Sequence, residues 1–358
     1  MSRVVFATDL HLTENGGGIE AFRTDLESIA ELQPDLVVQG GDICLWEDGA
    51  GDQLQRLLEA HDLPVVHVMG NHDTSPHLPP DRFDADFCAR FGPRNRHVDL
   101  GDCHVVTLNT CRMQPQYGDR NWHNVRGEVG EDDLSWLDAT LAEAAPGRPL
   151  LLFVHIPLAT TYPERRQADR ETADVWRVTN AAAIHERLTA WSAPVVVGQG
   201  HLHENEHLHR GSLHYVTLGS VCGSWWDGAD SSRCPDGTPR GWMVADVAGR
   251  DIDLSYHPAQ SPAWRGEIVA QEGLWLDLFF GAPSQPVEIE VDGVWLSLAP
   301  PTPQPVRGGV TTTHRWRLPD GLPQSRLPVR TVGPAGAETF VVEARPDAAG
   351  VPALPVSD

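Results

Sequence analysis

Five short apolar runs, each ending in a cluster of Asp, His, Asn and Gly, constrain this chain more than any other feature. Val4–Ala7 runs into Asp9-Leu10-His11, Leu36–Gln39 into Gly40-Gly41-Asp42, and Val65–Met69 into Gly70-Asn71-His72-Asp73. Further on, Leu150–Val154 ends at His155-Ile156-Pro157, and Val195–Val197 leads to Gly200-His201-Leu202-His203. Runs rich in β-branched residues read as strands. A buried strand has no use for a carboxylate or an imidazole at its exit, because an unpartnered polar group is costly to desolvate. Groups delivered by five separate strand ends therefore need a common partner.

Three more strand-like runs, His104–Leu108, His214–Leu218 and Met243–Val247, lie among them. Glu20–Gln33, Asp52–His61, Glu131–Ala144 and Asn180–Trp191 have helical periodicity, and Pro34 and Pro64 stop two of them. Strand and helix in alternation, followed by more closely spaced strands, predict an α/β fold with a mixed sheet. Its ligand site should lie beyond the strand ends. We place this catalytic domain at residues 1–250. After it the apolar runs shorten and are broken by Gly and Pro, and Asp292-Gly293 between two alternating runs is a hairpin signal. Residues 251–345 read as a small β-rich domain, and 346–358, rich in Pro and Ala, as a flexible tail.

A chain of 358 residues is long enough to bury both domains. Its formal charge of −23, from 50 acidic and 27 basic residues, argues against a surface that tracks nucleic-acid backbone or anionic lipid, since both reward positive charge. Small ligands and metal cations remain. The start, Met1-Ser2-Arg3, shows no signal-peptide pattern, and no apolar run approaches the roughly 20 residues that span a bilayer. Six cysteines without C-x-x-C spacing read as reduced thiols of a cytoplasmic protein, with Cys222 and Cys234 flanking a loop and open to pairing.

Three carboxylates, four or five imidazoles and one amide exceed what a hydrogen-bond network needs. They are the donor types that hold transition metals of borderline hardness. On an extended segment, residues two apart point to the same face, so Asp9 and His11 would grip one ion together. His201 and His203 would do the same, or serve one ion each. A carboxylate bridges through its two oxygens, which suits Asp42, and the Asn71 amide is a neutral ligand that adds no charge. Two cations so held would activate a water and clamp the oxygens of a phosphorus centre.

The ordered series DLH, GGD, GNHD, VHIP and GHLH resembles the calcineurin-like metallophosphoesterase family, whose pattern is D-x-H, G-D, G-N-H-[DE], H and G-H-x-H. The resemblance implies a four-layer αββα sandwich and a dinuclear centre of Mn, Fe or Zn. It implies Asp9, His11, Asp42 and His203 on one metal, and Asp42, Asn71, His155 and His201 on the other. His72 would contact the phosphate and protonate the leaving oxygen, with Asp73 orienting it. The stretch Gly219–Trp242 resembles the segment that follows the last metal block in bacterial members carrying an extra C-terminal β domain.

The expected activity is hydrolysis of phosphoric esters by hydroxide held between the metals. A phosphodiesterase on a small, nucleotide-type substrate is favoured over a phosphomonoesterase or a nucleotide pyrophosphatase, and a non-catalytic scaffold is least favoured because no ligand is missing. Trp225 and Trp226 are candidates for a wall that stacks on a base or sugar, although aromatic packing is the commoner role. Arg165, Arg166 and Arg177 read as a solvated face before they read as a second phosphate grip. Asp227, Asp236 and Arg240 read as turn and pairing residues, and His207, His209 and His214 as surface or strand positions. The expected partner is a small phosphorylated molecule, neither nucleic acid nor membrane, and a homo-oligomer is compatible with the sequence.

Overall fold

The computed structural model describes residues 1–12, 17–43, 49–75, 77–114, 124–168, 170–223, 232–259, 264–270, 273–301, 314–322, 326–333 and 336–344. The strands of its first part are β1 Ser2–Ala7, β2 Leu36–Gln39, β3 Val65–His67, β4 Arg96–Asp99, β5 His104–Thr107, β6 Cys111–Met113, β7 Val125–Gly127, β8 Leu150–Val154, β9 Val195–Gln199, β10 Glu206–Arg210, β11 Leu213–Thr217, β12 Gly241–Ala248 and β13 Asp251–Pro258. The helices are α1 Gly17–Glu31, α2 Ala50–His61, α3 Ala85–Phe91, α4 Glu131–Glu143, α5 Tyr162–Arg165, α6 Arg170–Trp176 and α7 Ala181–Thr189.

Two mixed sheets stack face to face, one in the order β13-β12-β1-β2-β3, the other β10-β11-β9-β8-β5-β4. The central strands are parallel, which requires both faces to be covered and explains why the runs are apolar throughout rather than alternating. Side chains alternate across each strand. Val4 and Phe6 therefore pack between the sheets with Val38, Leu151 and Phe153, and the Phe6 and Phe153 rings lie 4.8 Å apart. Val5, Ala7 and Val37 of the first sheet and Leu150, Leu152 and Val197 of the second turn outward into a cluster that also holds Leu26 and Ile29 of α1, Leu137 of α4 and Ile184 and Leu188 of α7. The result is the expected αββα layering. Parallel strands in each sheet run the same way, so the polar blocks gather at one edge.

The domain boundary differs from the sequence expectation. Asp251–Pro258 pairs residue for residue with Gly241–Ala248 as an antiparallel hairpin, so the first sheet runs eight residues past the expected limit at 250. A two-residue turn at Gly249-Arg250, with Gly249 at φ 61°, continues the sheet where the sequence suggested a break. The last seven strands are β14 Gly266–Ala270, β15 Leu274–Leu278, β16 Val287–Val291, β17 Val294–Ser297, β18 Arg315–Arg317, β19 Arg326–Gly333 and β20 Gly336–Ala344. They form one sheet around Ile268, Leu276, Ile289, Trp316, Val329 and Val342. Asp292 and Gly293 join β16 to β17 with φ of 50° and 79°, the doubly positive turn that hairpins favour. The tail expected at 346–358 lies outside the described residues. Among those described, no helix is long and apolar enough to cross a membrane.

Candidate metal centre

Asp9, His11, Asp42, Asn71, His72, Asp73, His155, His201 and His203 converge in one place, each at most 8 % exposed. His11 Nε2 and His203 Nε2 face each other at 3.1 Å, and Asp9 Oδ1 lies 3.1 Å from the latter nitrogen. Asp42 Oδ2 sits 3.6 Å from His11 Nε2 on one side and 3.2 Å from His155 Nε2 on the other. Asp42, His155 and His201 form a second knot of donor atoms within 4.8 Å of one another. One carboxylate oxygen, Asp42 Oδ2, thus stands between the two clusters.

The local backbone is not the extended segment from which a same-face pairing of Asp9 with His11 was argued. Strand β1 stops at Ala7, and Asp9 and His11 take φ of 57° and 44°. Asp42, His201 and His203 also have positive φ, at 50°, 74° and 55°. Side chains rarely adopt this left-handed region, and the cost, about 1–3 kcal/mol per residue, is tolerated where function demands the geometry. Hydrogen bonds hold these turns: Asp9 and His11 donate their amides to Gly41 and Asp42 carbonyls at 3.0 Å, and the His201 amide donates to the Asp9 carboxylate at 3.1 Å.

Each ring is aimed by what its other nitrogen does. His155 Nδ1 donates to the Gly40 carbonyl at 2.9 Å, leaving Nε2 facing Asp42. His201 Nε2 donates to the Val175 carbonyl of α6 at 3.1 Å, leaving Nδ1 as its acceptor. Thr8 Oγ1 donates to Asp9 Oδ2 at 2.7 Å and reaches the Gly40 carbonyl at 3.0 Å. These supports were not read from the sequence. Thr8 adjoins Asp9 and was open to notice, whereas a carbonyl carries no sequence signal.

The residues fit cations by their own chemistry. Asn71 Oδ1 is buried and makes no hydrogen bond, an expensive state unless a ligand takes its lone pairs. Burial disfavours ionised Asp9, yet His203 and His155 outweigh it and hold the carboxyl at about 2. Burial likewise opposes charge on the histidines, but Asp42 and Asp9 hold His155 at about 9, and Asp9 and Cys222 hold His203 at about 10. Burial wins at His201, pushed down to about 4. Two anions surrounded by imidazoles bind either protons or metal ions, and the two compete for the same nitrogens.

His72 stands beside Asp42, its Nε2 4.0 Å from Asp42 Oδ2 and its amide donating to Asp42 Oδ1 at 2.9 Å. Burial pushes its pKa down, with Asp42 pulling the other way. Asp73 accepts from the amides of Ile43 and Gly70, both at 2.8 Å, and so clamps the turn from which His72 projects to the loop carrying Asp42. Burial, reinforced by Asp42, raises the Asp73 carboxyl to about 7.

Gly70 shows how closely the loops pack. A Cβ there would lie 2.2 Å from Asp42 Oδ1 and 2.2 Å from the Asp42 amide nitrogen. Gly70→Ala is accordingly expected to displace the bridge and strip bound metal; metal analysis showing undiminished content would refute this.

Arg165 corrects the expectation of a solvated face. Its side chain is 2 % exposed, it pairs with Glu204, and its Nη2 lies 3.7 Å from Glu206 Oε1. Glu206 in turn accepts from Thr160 Oγ1 at 2.6 Å. The cluster fastens α5 to the segment immediately after His203, and Val175 fastens α6 to His201. An arginine that neutralises two buried carboxylates belongs inside even though its type suggests the surface. Breaking a buried pair from one side costs about 3–5 kcal/mol, so Arg165→Ala should lose that much stability in urea unfolding. A loss under about 1 kcal/mol would place the pair in solvent.

Arg177 is half-exposed and pairs with Glu164 at 2.7 Å, as a solvated residue does. Arg166 lies over the Tyr162 ring at 4.9 Å. Asp236 accepts from the Asn205 and Thr238 amides and Arg240 pairs with Asp25, which are turn and pairing roles. His207, His209 and His214 are strand residues, with His207 Nδ1 2.9 Å from His214 Nε2 and His209 stacked on His214. Trp225, Trp226 and Asp227 lie outside the described residues. Cys222 and Cys234 are both free thiols.

This arrangement, two donor clusters sharing one carboxylate at the edge of an αββα sandwich, is that of a metal-dependent hydrolase. Residues 2–205 match the calcineurin-like phosphoesterase family and 215–305 match its C-terminal region, and the chain belongs to that family. A probable cyclic nucleotide phosphodiesterase of Rhodopseudomonas palustris is 28% identical over 246 residues, covering 61% of this chain and 81% of the relative. A 3',5'-cyclic-nucleotide phosphodiesterase of Nostoc is 24% identical over 229 residues, covering 60% of this chain and 76% of the relative. A dimetal phosphatase from Danio rerio shares the fold at TM-score 0.51 and 15% identity, over 72% of this chain and 96% of that one. The protein is a metal-binding hydrolase of phosphoric esters.

Proposed function

We propose that the protein is a phosphodiesterase acting on a small nucleotide-type ester with two transition-metal ions, Mn, Fe or Zn. The observation that carries this reading is the position of Asp42 Oδ2 between His11 Nε2 at 3.6 Å and His155 Nε2 at 3.2 Å. Asp9, His11, Asp42 and His203 would hold one ion, and Asp42, Asn71, His155 and His201 the other. Two such ions supply Lewis acidity and a nucleophilic water at neutral pH.

The remaining work falls to the chain. Asn71 orients a phosphoryl oxygen through its amide, and His72 hands a proton to the departing oxygen. Asp73 and the Gly70 turn keep His72 at the rim of the pair. The Gly40 and Val175 carbonyls take the outward nitrogens of His155 and His201 and so aim the other nitrogen of each ring inward. An acidic surface repels polyanions, which supports a small substrate over nucleic acid, anionic membrane or phosphorylated peptides. The five cysteines among the described residues are free thiols, which suits a reducing cytoplasm.

Diester preference draws on the two cyclic nucleotide phosphodiesterases, which match across three quarters or more of their own length. Metal-loaded protein is expected to hydrolyse bis-p-nitrophenyl phosphate and 3',5'-cyclic nucleotides faster than p-nitrophenyl phosphate. A clear monoester preference would replace this reading with a phosphomonoesterase.

A further inference from the structure

One free cysteine at the centre belongs to none of the five motif blocks. Cys222 lies in the segment after β11, outside the region that carries the metal-ligand pattern. Its amide nitrogen is 3.3 Å from the Asp9 carbonyl, and the amide of its neighbour Val221 donates to the Thr8 carbonyl at 3.0 Å. The Cys222 loop is thereby laced to the loop that bears Asp9 and His11. The donor atoms of Cys222, His11 and His203 all lie within 4.8 Å of one another, forming a third convergent group beside the two already described. The sulfur's contacts are long: 4.0 Å to His203 Nδ1 and 3.6 Å to the Gly223 carbonyl. A thiol is a weak partner in both directions, so neither contact ties it down.

We propose that Cys222 supplies a sulfur donor to the cation position formed by Asp9, His11, Asp42 and His203, and so biases that position toward thiophilic ions. The proposal rests on reading His11 and His203 as ligands of one ion. Oxygen and imidazole donors alone suit manganese as well as zinc or iron, whereas a thiolate selects the softer ions. On binding, the metal–sulfur bond replaces the S–H bond and the proton leaves to solvent; no electron is transferred. The second position, with Asp42, Asn71, His155 and His201, has no sulfur among its described neighbours in the convergent groups. The two positions should therefore differ in metal preference, the first softer than the second.

Cobalt substitution tests this without substrate. Full-length protein loaded with two Co(II) ions is expected to show, besides the visible ligand-field bands, a near-ultraviolet thiolate-to-cobalt charge-transfer band. Cys222→Ser should lose that band and keep the ligand-field bands, while Cys88→Ser should keep both. Wild-type protein that binds two cobalt ions with no charge-transfer band would overturn the proposal, as would a band that survives in Cys222→Ser. Wild-type protein that binds no metal ion at all would overturn the metal-centre reading itself, a separate outcome. Competition between zinc and manganese discriminates further. An outer-shell hydrogen-bond partner of a ligating histidine is worth about 10–100-fold in affinity for whichever metal is bound. Cys222→Ser should weaken zinc much more than manganese; an equal loss for both would demote Cys222 to a positioning residue for His203.

Discussion

Asp42→Ala is expected to yield a folded protein that retains less than one metal ion per chain and has no measurable phosphodiesterase activity. The reason is the shared oxygen: Asp42 Oδ2 faces His11 Nε2 at 3.6 Å and His155 Nε2 at 3.2 Å, so one truncation removes a ligand from both positions. It also removes the acceptor of the His72 amide, loosening the Gly70–Asp73 turn. Outer-shell changes around a metal cost about 10–100-fold in affinity, and loss of a ligand common to two ions should exceed that for each. Elemental analysis after gel filtration measures it directly. Two ions per chain in Asp42→Ala would disprove the bridging assignment. One ion per chain with the His201 cluster intact would show that the positions fill independently.

His72→Ala is expected to do the opposite, keeping both ions while losing about 10²–10⁴-fold in kcat. Its ring packs edge-on against His11 with centroids 4.7 Å apart, and its Nε2 is 4.0 Å from Asp42 Oδ2, close enough to reach an oxygen leaving phosphorus. Substrate choice separates proton donation from simple orientation. A p-nitrophenolate leaves without help, whereas the ribose oxygen of a cyclic nucleotide needs a proton. If His72 donates that proton, the variant should be far more impaired on 3',5'-cyclic nucleotides than on bis-p-nitrophenyl phosphate. Equal impairment on both would make His72 an orienting group only, and loss of metal from the variant would make it a ligand.

The strands that carry the site were legible because parallel strands buried on both faces read as unbroken apolar runs. Val4–Ala7, Leu36–Gln39, Leu150–Val154 and Val195–Val197 all fall within observed strands. Helices α3, α5 and α6 were not foreseen. Each is at most seven residues long, too short for a 3.6-residue period to register. Strand β13 continues the first sheet past residue 250 because its pairing with β12 is decided by a turn at Gly249 and not by the polar alternation of Asp251-Ile252-Asp253. Arg165 was misplaced for a related reason: its burial depends on Glu204 and Glu206, some forty residues away.

The nine candidate residues of the centre could be named from the sequence alone, because the donor types of a metal site are few and because strand ends in an α/β sheet converge on one edge. Their order along the chain determined the family and the chemistry. Tertiary structure decided how they converge. His11 and His203 meet across 192 residues, and five of the donors turn inward through left-handed backbone at Asp9, His11, Asp42, His201 and His203, a conformation that Asp and His adopt more often than most residues but that only the closed loops impose at these positions. The inward-facing nitrogens of His155 and His201 were set by the carbonyls of Gly40 and Val175, and the sulfur of Cys222 was brought to His203 by a loop beyond the last motif. Backbone groups and long-range contacts carry no letter in the sequence; they exist only once the chain has closed on itself.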